Sequence, residues 1–301
     1  MVLSAAPERK LTEATSSAIR LDAMSDRHFR DLAAYIEREV GIRLPPTKRT
    51  MVEGRLRRRV KALGVANLDE YVALVLDRDE LGGENMHLID CVTTNKTDFF
   101  REPEHFEILT RVVMPHLLDG ARRRNERVFK FWSAAASIGA EAYTLAMVLA
   151  DLSAAEHFGF RILGTDICST ALAQAQAAIY PEDMLAPTPK AMRERYVMSS
   201  RNSARREVRI VPELRRLVRF QRLNLMDATY PIDEDIDVIF CRNVLIYFSS
   251  PTQQAVVANL CRHLRPGGFL FLGHSESMAG GKQASMRQIA STVFRKEVGR
   301  T

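Results

Sequence analysis

The sequence predicts an α/β fold, in which a mostly parallel sheet follows a helical region and is interrupted by a small antiparallel insert. Three observations support this. Apolar residues recur at helical spacing from Ser25 to about Leu118, strand-like runs alternate with helices from Val128 onward, and short runs parted by polar residues follow Pro181. Alternating strands and helices are typical of a parallel sheet with right-handed crossovers.

The apolar spacing of the first region predicts a series of helices. The first spans Asp26 to Val40 and stops at Gly41. The second begins near the Pro45-Pro46 pair, since proline presets the first helical turn, and ends at Gly64. Further helices are expected at Leu68 to Leu76, at Glu84 to Val92, and from Pro103 to Leu118 as a linking helix bent or broken near Pro115.

The region from Val128 supplies the predicted sheet. The Arg265-Pro266-Gly267-Gly268 sequence predicts a helix stop directly before the last strand. Strands are predicted at Val128 to Ala134, Phe160 to Thr165, Ile236 to Cys241 and Gly268 to Leu272, and helices at Glu141 to Leu152, Ser169 to Ile179 and Thr252 to Leu264.

A stretch beginning at Pro181 breaks this alternation. Its short runs are separated by the polar segment Ser199 to Arg206. Such runs predict a small antiparallel insert rather than another crossover unit. The runs are Arg195 to Met198, Glu207 to Val211 and Leu217 to Arg222.

Composition and charge narrow the class of protein. The 301 residues, 46% of them apolar, suffice for one large or two modest domains. No run has the length and apolar character of a signal peptide or a membrane span, so a cytoplasmic location is expected. The formal net charge of +6 suits an anionic partner, which leaves nucleic acid, an acidic protein and an acidic lipid surface open.

The four cysteines argue against a zinc centre and a disulfide framework. Residues 91, 168, 241 and 261 show no close Cys-x-x-Cys spacing and no histidine at finger-like distance. Reduced, mostly buried thiols are expected, and no metal site is predicted. Cys241 lacks a neighbouring proline, which disfavours a nucleophile of the cytosine methylase type.

The loops after the strands carry the candidate ligand-binding residues, because ligands of open parallel sheets bind outside the carboxyl ends of the strands. The first loop, Ser133 to Glu141, has small residues but no Gly-x-Gly-x-x-Gly or Gly-x-x-x-x-Gly-Lys-Ser/Thr pattern, which disfavours pyrophosphate. In the second loop, Asp166 fits a ribose-binding acid and a helix N-cap equally well. The third, Asn224 to Asp227, suits adenine edges. A ribose-binding acid without a phosphate loop suggests S-adenosylmethionine.

A cationic and a polar residue stand inside the apolar run Phe240 to Phe248. Arginine is almost never fully buried unless it is paired, and a buried asparagine needs several hydrogen bonds. Arg242 and Asn243 therefore predict a site at a strand end. His274, in a later Gly-His-Ser-Glu-Ser segment, fits a loop or capping group better than a general base.

Four motifs, in order along the chain, together resemble one family. They are Thr-Thr-Asn-Lys-Thr-Asp-Phe-Phe-Arg-Glu at 93–102, Trp-Ser-Ala-Ala-Ala-Ser at 132–137, Cys-Arg-Asn-Val-Leu-Ile-Tyr-Phe at 241–248 and Gly-His-Ser-Glu at 273–276. From about Ser25 to Lys296 the chain resembles the CheR family, the glutamate methyltransferases of chemotaxis receptors.

The resemblance implies a fold and its domains. The fold would be a Rossmann-like class I S-adenosylmethionine-dependent methyltransferase domain with an N-terminal all-helical domain and a small antiparallel β subdomain inserted in the α/β domain. Its parts would be a disordered tail at 1–24, the helical domain at 25–95, a linker helix region at 96–127, and the methyltransferase domain at 128–301 with the insert at about 181–223.

The resemblance also implies site residues. Arg101 and Tyr247 would lie closest to the reacting methyl group and orient it. The loop departs from the family's usual Ser-Thr-Gly-Glu-Glu-Pro by carrying Ala140 and Ala142, but it keeps Glu141, so binding is expected to survive. The cofactor-binding residues would be Asn95, Thr97, Arg101, Glu141, Asp166, Asn224, Leu225, Asn243 and Val244.

The implied chemistry needs no general base. A glutamate carboxylate, with a reference pKa of ~4.3, is already ionised at neutral pH. Holding oxygen, methyl carbon and sulfur in line can contribute roughly 7 to 11 kcal/mol to lowering the barrier. The cofactor would be S-adenosylmethionine, and S-adenosylhomocysteine would be its product.

The implied partner is the cytoplasmic helical domain of methyl-accepting receptors, which would recruit a monomeric enzyme to membrane receptor arrays without membrane insertion. The helix from Thr50 to Leu63 presents basic residues that could dock an acidic helix through screened contacts. The docking residues would be Arg55, Arg58, Arg59 and Lys61. The insert could also receive a receptor C-terminal tail by strand addition, although its segment 199–206 has no glycine.

Two other functions remain open at this stage. The basic balance would suit a methyltransferase of nucleic acid, but the chain lacks Asn/Asp-Pro-Pro-Tyr after the fourth strand, and its basic helix lacks interleaved aromatic residues, so no nucleic acid partner is predicted. A non-catalytic adaptor that senses the cofactor is the other alternative. The retention of Arg101, Glu141 and Tyr247 argues against it.

Overall fold

The computed structural model describes residues 23–77, 83–124, 128–202, 204–276 and 285–298. The chain divides into two compact units, Met1–Val92 and Thr93–Thr301. Residues 1–22, most of the predicted disordered tail, lie outside the described residues. Met24 is buried, and its backbone N–H donates to a Glu53 carboxylate oxygen at 3.1 Å, so the packed part of the first unit includes residue 24.

The described part of the first unit is helical. Its first two helices end as predicted, because Gly41 and Gly64 adopt left-handed backbone conformations with φ of 74° and 67°. Leu32 and Ile36 in the first helix, and Val52 and Leu56 in the second, are fully buried four residues apart. The helices are α1 (Asp26–Val40), α2 (Arg49–Leu63), α3 (Leu68–Asp77) and α4 (Glu84–Val92), and a 3₁₀ turn, Pro46–Lys48, precedes α2.

The predicted linking helix is irregular. Helix α5 (Pro103–Ile108) passes through a π-helical segment, Leu109–Val113, into α6 (Met114–Arg124). The irregular segment ends two residues before Pro115, which lacks an N–H and whose ring would clash with the preceding turn of a regular helix. The helix continues past Leu118, where the sequence pattern predicted its end.

Ten strands are described in the second unit. They are β1 (Val128–Ala134), β2 (Gly159–Asp166), β3 (Ile179–Pro181), β4 (Val197–Ser199), β5 (Glu207–Ile210), β6 (Val218–Arg222), β7 (Ile236–Cys241), β8 (Leu264–Leu272), β9 (Met286–Ala290) and β10 (Val293–Lys296). Seven form a mixed sheet in the order β6-β2-β1-β7-β8-β10-β9. The first five of these are parallel, so their carboxyl ends meet at one edge, and β10 and β9 add an antiparallel hairpin.

The helices of the second unit and three aromatic rings complete its core. The rings of Phe240 and Phe271 stack with centroids 4.3 Å apart, and Phe106 stacks on Phe240 at 6.0 Å. The remaining helices are α7 (Ala140–Glu156), α8 (Ser169–Ala177), α9 (Lys190–Tyr196), α10 (Pro212–Arg215) and α11 (Ser250–His263), with 3₁₀ turns at Glu182–Leu185 and Leu245–Tyr247. None of the described helices has the length and apolar character needed to cross a membrane.

The antiparallel insert is present but smaller than predicted. Its sheet has the order β3-β5-β4. The run Leu217 to Arg222, predicted to belong to it, instead forms β6 and pairs in parallel with β2, with Ile162 opposite Val218. The physical reason is packing: a Cβ on Gly164 of β2 would come within 2.6 Å of the Phe220 ring, so the missing side chain makes room for β6.

The end of the chain also differs from the prediction. The Arg265-Pro266-Gly267-Gly268 sequence does not separate helix from strand; it lies within β8, where the pairing with β7 shifts from Ile236↔Leu264 to Val238↔Phe269. This irregularity accommodates Gly267 at a φ of 79°. The β9–β10 hairpin was not predicted, since its short strands carry charged residues on an edge.

A buried ion pair joins α2 and α4 in the first unit. Arg59 donates to both carboxylate oxygens of Glu84, at 2.7 and 2.6 Å, and the Tyr71 hydroxyl donates to the same carboxylate at 2.9 Å. Glu84 is 4% exposed. Burial opposes its ionisation, but the hydrogen bonds from Arg59 and Tyr71 lower its pKa overall. The carboxylate is therefore ionised and depends on Arg59.

We predict that Arg59→Met destabilises the protein by about 3 to 5 kcal/mol, because it leaves the buried Glu84 carboxylate without its cation. Urea unfolding followed by circular dichroism measures this loss. The matched control is Arg58→Met, which removes a neighbouring exposed guanidinium and should change stability by no more than about 0.5 kcal/mol. Equal stabilities of the two variants would contradict the prediction.

Candidate active site at the carboxyl ends of the strands

The first loop, between β1 and α7, holds an unusual backbone. Ala135 and Ser137 adopt positive φ angles of 62° and 51°, and Gly139 follows at 87°. A Cβ on Gly139 would approach the Ala175 Cβ to 2.9 Å and the Phe220 ring to 3.0 Å, so only glycine fits. Non-glycine residues with such a left-handed backbone conformation cost about 1 to 3 kcal/mol each, and they cluster at functional sites.

Asp166, at the end of β2, joins the first loop to the second. One carboxylate oxygen accepts from the Ser137 backbone N–H at 2.8 Å, and the other accepts from the Cys168 N–H at 2.9 Å. It does not occupy the N-cap position of α8, which belongs to Cys168. A carboxylate oxygen can accept more than one hydrogen bond, and an acid at the end of a parallel strand is the type of group that binds ribose hydroxyls in such sheets.

Asn95 lies beside these two loops, although it comes from the segment before α5. Its carbonyl accepts from the Ser137 hydroxyl at 3.0 Å, and its side-chain amide donates to the Cys168 sulfur at 3.2 Å. The sequence predicted Asn95 for the site through the family resemblance. Asp166 accepts from the backbone N–H groups of Ser137 and Cys168, which also bind Asn95, so the structure brings Asn95 next to Asp166.

The third loop follows β6 next to Asp166. The Leu223 N–H donates to the Asp166 carbonyl at 3.0 Å. The Asn224 side chain accepts from the Met226 N–H at 3.0 Å, which closes a tight turn. Leu225 is buried at 8% exposure. Asn224 and Leu225 thus lie one loop away from the acid with which they were predicted to act.

Arg242, directly after β7, is buried with two carboxylates. Its side chain is 2% exposed and donates to Glu102 at 3.0 Å and to Glu141 at 3.1 Å. It also donates to the Arg101 carbonyl, and Glu141 accepts from the Ser133 hydroxyl at 2.7 Å. We call Arg242, Glu102 and Glu141 the arginine cluster. The prediction that a buried arginine must be paired is confirmed.

The arginine cluster carries more negative than positive charge when both acids are ionised. Burial opposes the ionisation of Glu102, but a hydrogen bond from Asn243 and the charge of Arg242 lower its pKa overall. Burial raises the pKa of Glu141, against the opposing effects of Arg242 and Ser133. A cationic ligand beside Glu141 would favour its ionised form.

Asn243 is held at both its side chain and its backbone. Its amide donates to Glu102 at 3.0 Å, and its backbone N–H donates to Glu276 at 2.9 Å. Its φ is 59°. The 3₁₀ turn that follows begins with the Tyr247 N–H donating to the Val244 carbonyl at 3.1 Å, and both residues are half-buried.

Arg101 and Thr97 lie in the segment that leads to Glu102. Both are half-buried. The Arg101 guanidinium donates to the Lys96 carbonyl at 3.2 Å, which folds the side chain back over its own segment. The backbone carbonyl of Arg101 is fixed by Arg242, so this segment is tied to the end of β7.

A cluster of Glu102, His105 and His274 has ligand-type atoms within 4.8 Å of one another. A Glu102 carboxylate oxygen accepts from Arg242, and a guanidinium so close to the cluster repels a metal cation. Burial, followed by the charge of Arg242, lowers the pKa of His105 to about 4, so its ring is neutral at pH 7. Burial also raises the pKa of the Cys241 thiol, which makes it a poor nucleophile.

The four predicted docking residues on α2 have different surroundings within their unit. Arg55 donates to the carbonyls of Cys91 and Val92 at 3.3 and 3.2 Å, and Arg59 binds Glu84. Arg58 and Lys61 are exposed. Two of the four charges therefore fasten α2 to its own unit, and two face solvent.

Sequence reasoning missed residues whose role depends on distant partners. Glu102 lies 140 positions from Arg242, and no spacing rule connects them. Glu102 and Glu276 both lie within the four motifs, and this position in a motif is the local signal that could have identified them. Ser133 and Ser137 of the first loop also form hydrogen bonds that their small size alone does not indicate.

Two protein-family models match this chain and together cover most of it. The CheR methyltransferase all-alpha domain matches residues 27–93, and the CheR methyltransferase SAM binding domain matches residues 95–295. The second model alone covers more than half of the 301 residues.

Curated relatives agree with these models. A chemotaxis protein methyltransferase of Escherichia coli K12 is 38% identical over 85% of this chain and 86% of its own length. Chemotaxis protein methyltransferase 2 of Pseudomonas aeruginosa is 35% identical over 88% and 91%. A chemotaxis protein methyltransferase of Borreliella burgdorferi is 33% identical over 88% and 92%.

We predict that Arg242→Lys lowers the free energy of unfolding by about 2 to 4 kcal/mol, because an ammonium group cannot span both carboxylates as the planar guanidinium does. Urea unfolding measures the change. Arg219→Lys, at an exposed position of β6, is the matched control and should be near neutral. If Arg242→Lys is as stable as the control, the cluster does not stabilise the fold.

Proposed function

The chain belongs to the CheR methyltransferase family and is an S-adenosylmethionine-dependent methyltransferase of chemotaxis receptors, and we propose that the loops around Asp166 and the arginine cluster bind the methyl donor and orient it toward a receptor glutamate. The observation that carries this proposal is the position of Asp166. Its buried carboxylate lies at the end of β2, where an acid can bind a ribose, and it joins two loops, of which the first lacks a phosphate-binding sequence pattern.

Residues of three neighbouring loops would each bind a different part of the donor. Asp166 would hold the ribose, while Asn224 and Leu225 would contact the adenine, because their loop follows β6 directly beside Asp166. Asn95 reaches the same loops through Ser137 and Cys168. The proposed donor-binding residues are Asn95, Thr97, Arg101, Glu141, Asp166, Asn224, Leu225, Asn243 and Val244.

Charge supports the proposal at the reacting end. The donor carries a sulfonium and an α-amino group, which are both cationic. When both acids are ionised, the two carboxylates and one guanidinium of the arginine cluster leave one negative charge, which a cationic group beside Glu141 would balance. This need for a cation fits a donor whose positive groups lie close to the transferred methyl.

The transfer itself requires orientation rather than proton abstraction. A glutamate carboxylate, with a reference pKa of ~4.3, attacks in its ionised form and forms a glutamyl methyl ester as the carbon–sulfur bond breaks. Arg101 and Tyr247 would orient the methyl site. The ionised carboxylate carries no proton, so the neutral His105 would not be needed as a base. A guanidinium that clamped both carboxylate oxygens would weaken the nucleophile, so Arg101 would contact one oxygen or act indirectly.

Receptor recognition would use the exposed face of α2. Arg58 and Lys61 face solvent and can approach acidic residues on a helical receptor domain through screened contacts. Arg55 and Arg59 would support that face indirectly by fastening α2 within its unit. Binding of this kind would recruit the enzyme to receptor arrays in the membrane without insertion into the lipid.

A receptor tail peptide could make a second contact at the small sheet. Strand β4 lies at the edge of that sheet, and a cavity of about 340 Å³ beside it is lined by Lys190, Arg193, Glu194, Val197, Ser199 and Val208. An extended peptide could add to this edge through main-chain hydrogen bonds. The basic side chains would suit a terminal carboxylate.

We predict that Asp166→Asn weakens binding of S-adenosylhomocysteine by at least about tenfold, since an amide offers fewer acceptor sites to the ribose hydroxyls. Isothermal titration calorimetry measures the dissociation constant. Transfer of a labelled methyl group to a receptor fragment, with mass spectrometry of its glutamates, tests the reaction. The exposed Asp119→Asn is the matched control. Unchanged affinity in Asp166→Asn would remove Asp166 from the site, and a wild type that labels no receptor glutamate would contradict the function.

We predict that the double variant Arg58→Glu, Lys61→Glu raises the receptor KM severalfold and leaves the cofactor KM unchanged, because it reverses charge only on the docking face. The effect should shrink as salt concentration rises. Steady-state kinetics at two ionic strengths measures both constants. The control, Arg111→Glu with Arg161→Glu, reverses two exposed charges in the other unit. Equal receptor KM values in the two double variants would exclude docking through α2.

A further inference from the structure

Glu276 is a buried carboxylate that binds three backbone N–H groups. It is 5% exposed and lies in the loop after β8. One oxygen accepts from Asn243 at 2.9 Å and from Gly273 at 2.7 Å, and the other accepts from Leu245 at 2.7 Å. An acceptor of three N–H groups fastens two loops together at the edge of the sheet where the candidate site lies.

The position of these N–H groups determines what Glu276 controls. Asn243 has a φ of 59°, a left-handed conformation that residues with a side chain adopt rarely and that persists only where surrounding contacts hold it. Glu276 binds the N–H of Asn243 and that of Leu245, on either side of Val244. It therefore fixes the backbone of the two residues proposed to contact the donor.

Gly273 makes this arrangement possible. A Cβ at this position would lie 2.8 Å from the Asn243 side-chain nitrogen, 2.8 Å from a Glu276 oxygen and 2.9 Å from the Asn243 backbone nitrogen. Real Cβ contacts are not this short. The close approach of Gly273 to both residues shows that the loop after β8 is shaped around Asn243 and Glu276.

Two carboxylates thus hold Asn243 from different sides. Glu102 binds its side-chain amide nitrogen at 3.0 Å, and Glu276 binds its backbone nitrogen at 2.9 Å. With the amide nitrogen bound to Glu102, the amide oxygen keeps its capacity to accept from a ligand. Glu276 controls the direction of this side chain because it sets the backbone from which the side chain projects.

We infer that Glu276 is a positioning residue for methyl transfer, which holds Asn243 and Val244 in the conformation that binds the methyl donor. The inference rests on the proposed function, in which these two residues contact the donor. In this role Glu276 would act through Asn243 and Val244 and would not itself contact the donor. Its contribution is to stabilise the left-handed backbone conformation of Asn243 at the end of β7.

The test compares two buried carboxylates joined to the two ends of β7. Glu276→Gln replaces an acceptor oxygen with an amide that would face a backbone N–H. Asp237→Asn is the matched control. Asp237 is 3% exposed, accepts from the Lys130 N–H at 2.7 Å and pairs with Arg265 at 2.8 Å, near the opposite end of the strand. Both variants should lower the thermal midpoint.

Only Glu276→Gln should also weaken binding of S-adenosylhomocysteine, by tenfold or more, when calorimetry is done well below both thermal midpoints. It should also lower kcat at saturating donor. Glu276→Asp keeps the charge with a shorter reach and serves if the glutamine variant does not fold; its affinity should lie between those of wild type and Asn243→Gly. A loss of affinity in Glu276→Gln no greater than that in Asp237→Asn would overturn the inference.

Failure of the inference can be told apart from failure of the proposed function. If wild type binds no S-adenosylhomocysteine, the proposed function fails and the inference fails with it. If wild type binds but Asn243→Gly binds equally well, Asn243 does not contact the donor, and the positioning role of Glu276 is excluded. Weakened binding in both Asn243→Gly and Glu276→Gln, with Asp237→Asn near wild type, supports the inference.

Discussion

Burial of the Arg242 guanidinium is the constraint on which the site depends. A guanidinium cannot lose its charge in a protein, so at 2% exposure it requires anionic partners. It takes Glu102 from the segment before α5 and Glu141 from the first turn of α7. Three parts of the chain, distant in sequence, are thereby fixed at the carboxyl edge of the sheet, and the Arg101 carbonyl is held with them.

Backbone strain and hydrogen bonding combine around this edge. Of the nine non-glycine residues with positive φ in the described ranges, five lie in its loops or in the segment before α5: Phe100, Glu102, Ala135, Ser137 and Asn243. Carboxylates at the same edge bind the backbone N–H groups of two of them, since Asp166 accepts from Ser137 and Glu276 accepts from Asn243. Rigid loops suit a reaction whose nucleophile is already ionised, because the enzyme then accelerates transfer mainly by aligning the reactants.

Local patterns predicted much of the fold, and long-range contacts account for what they missed. Helix ends at Gly41 and Gly64 and strands β1 and β7 follow from capping and apolar runs. The run forming β6 was misplaced because the space above Gly164 that admits Phe220 exists only once the sheet has formed. For the site, a polar pair inside an apolar run indicated a buried cation, but spacing alone could not identify partners contributed by other loops. Likewise, the basic residues of α2 gave no sign that Arg55 and Arg59 bind partners within their own unit.

The most direct measurement is a crystal structure of the protein with S-adenosylhomocysteine. We expect the ribose hydroxyls on Asp166, the α-amino group on the Glu141 side of the arginine cluster, and Arg242 still bonded to both carboxylates. The Asn243 backbone should remain left-handed, because Glu276 holds it before the ligand binds. A ligand bound away from Asp166, or an Arg242 side chain that leaves Glu102 and Glu141 when the ligand is present, would contradict the account.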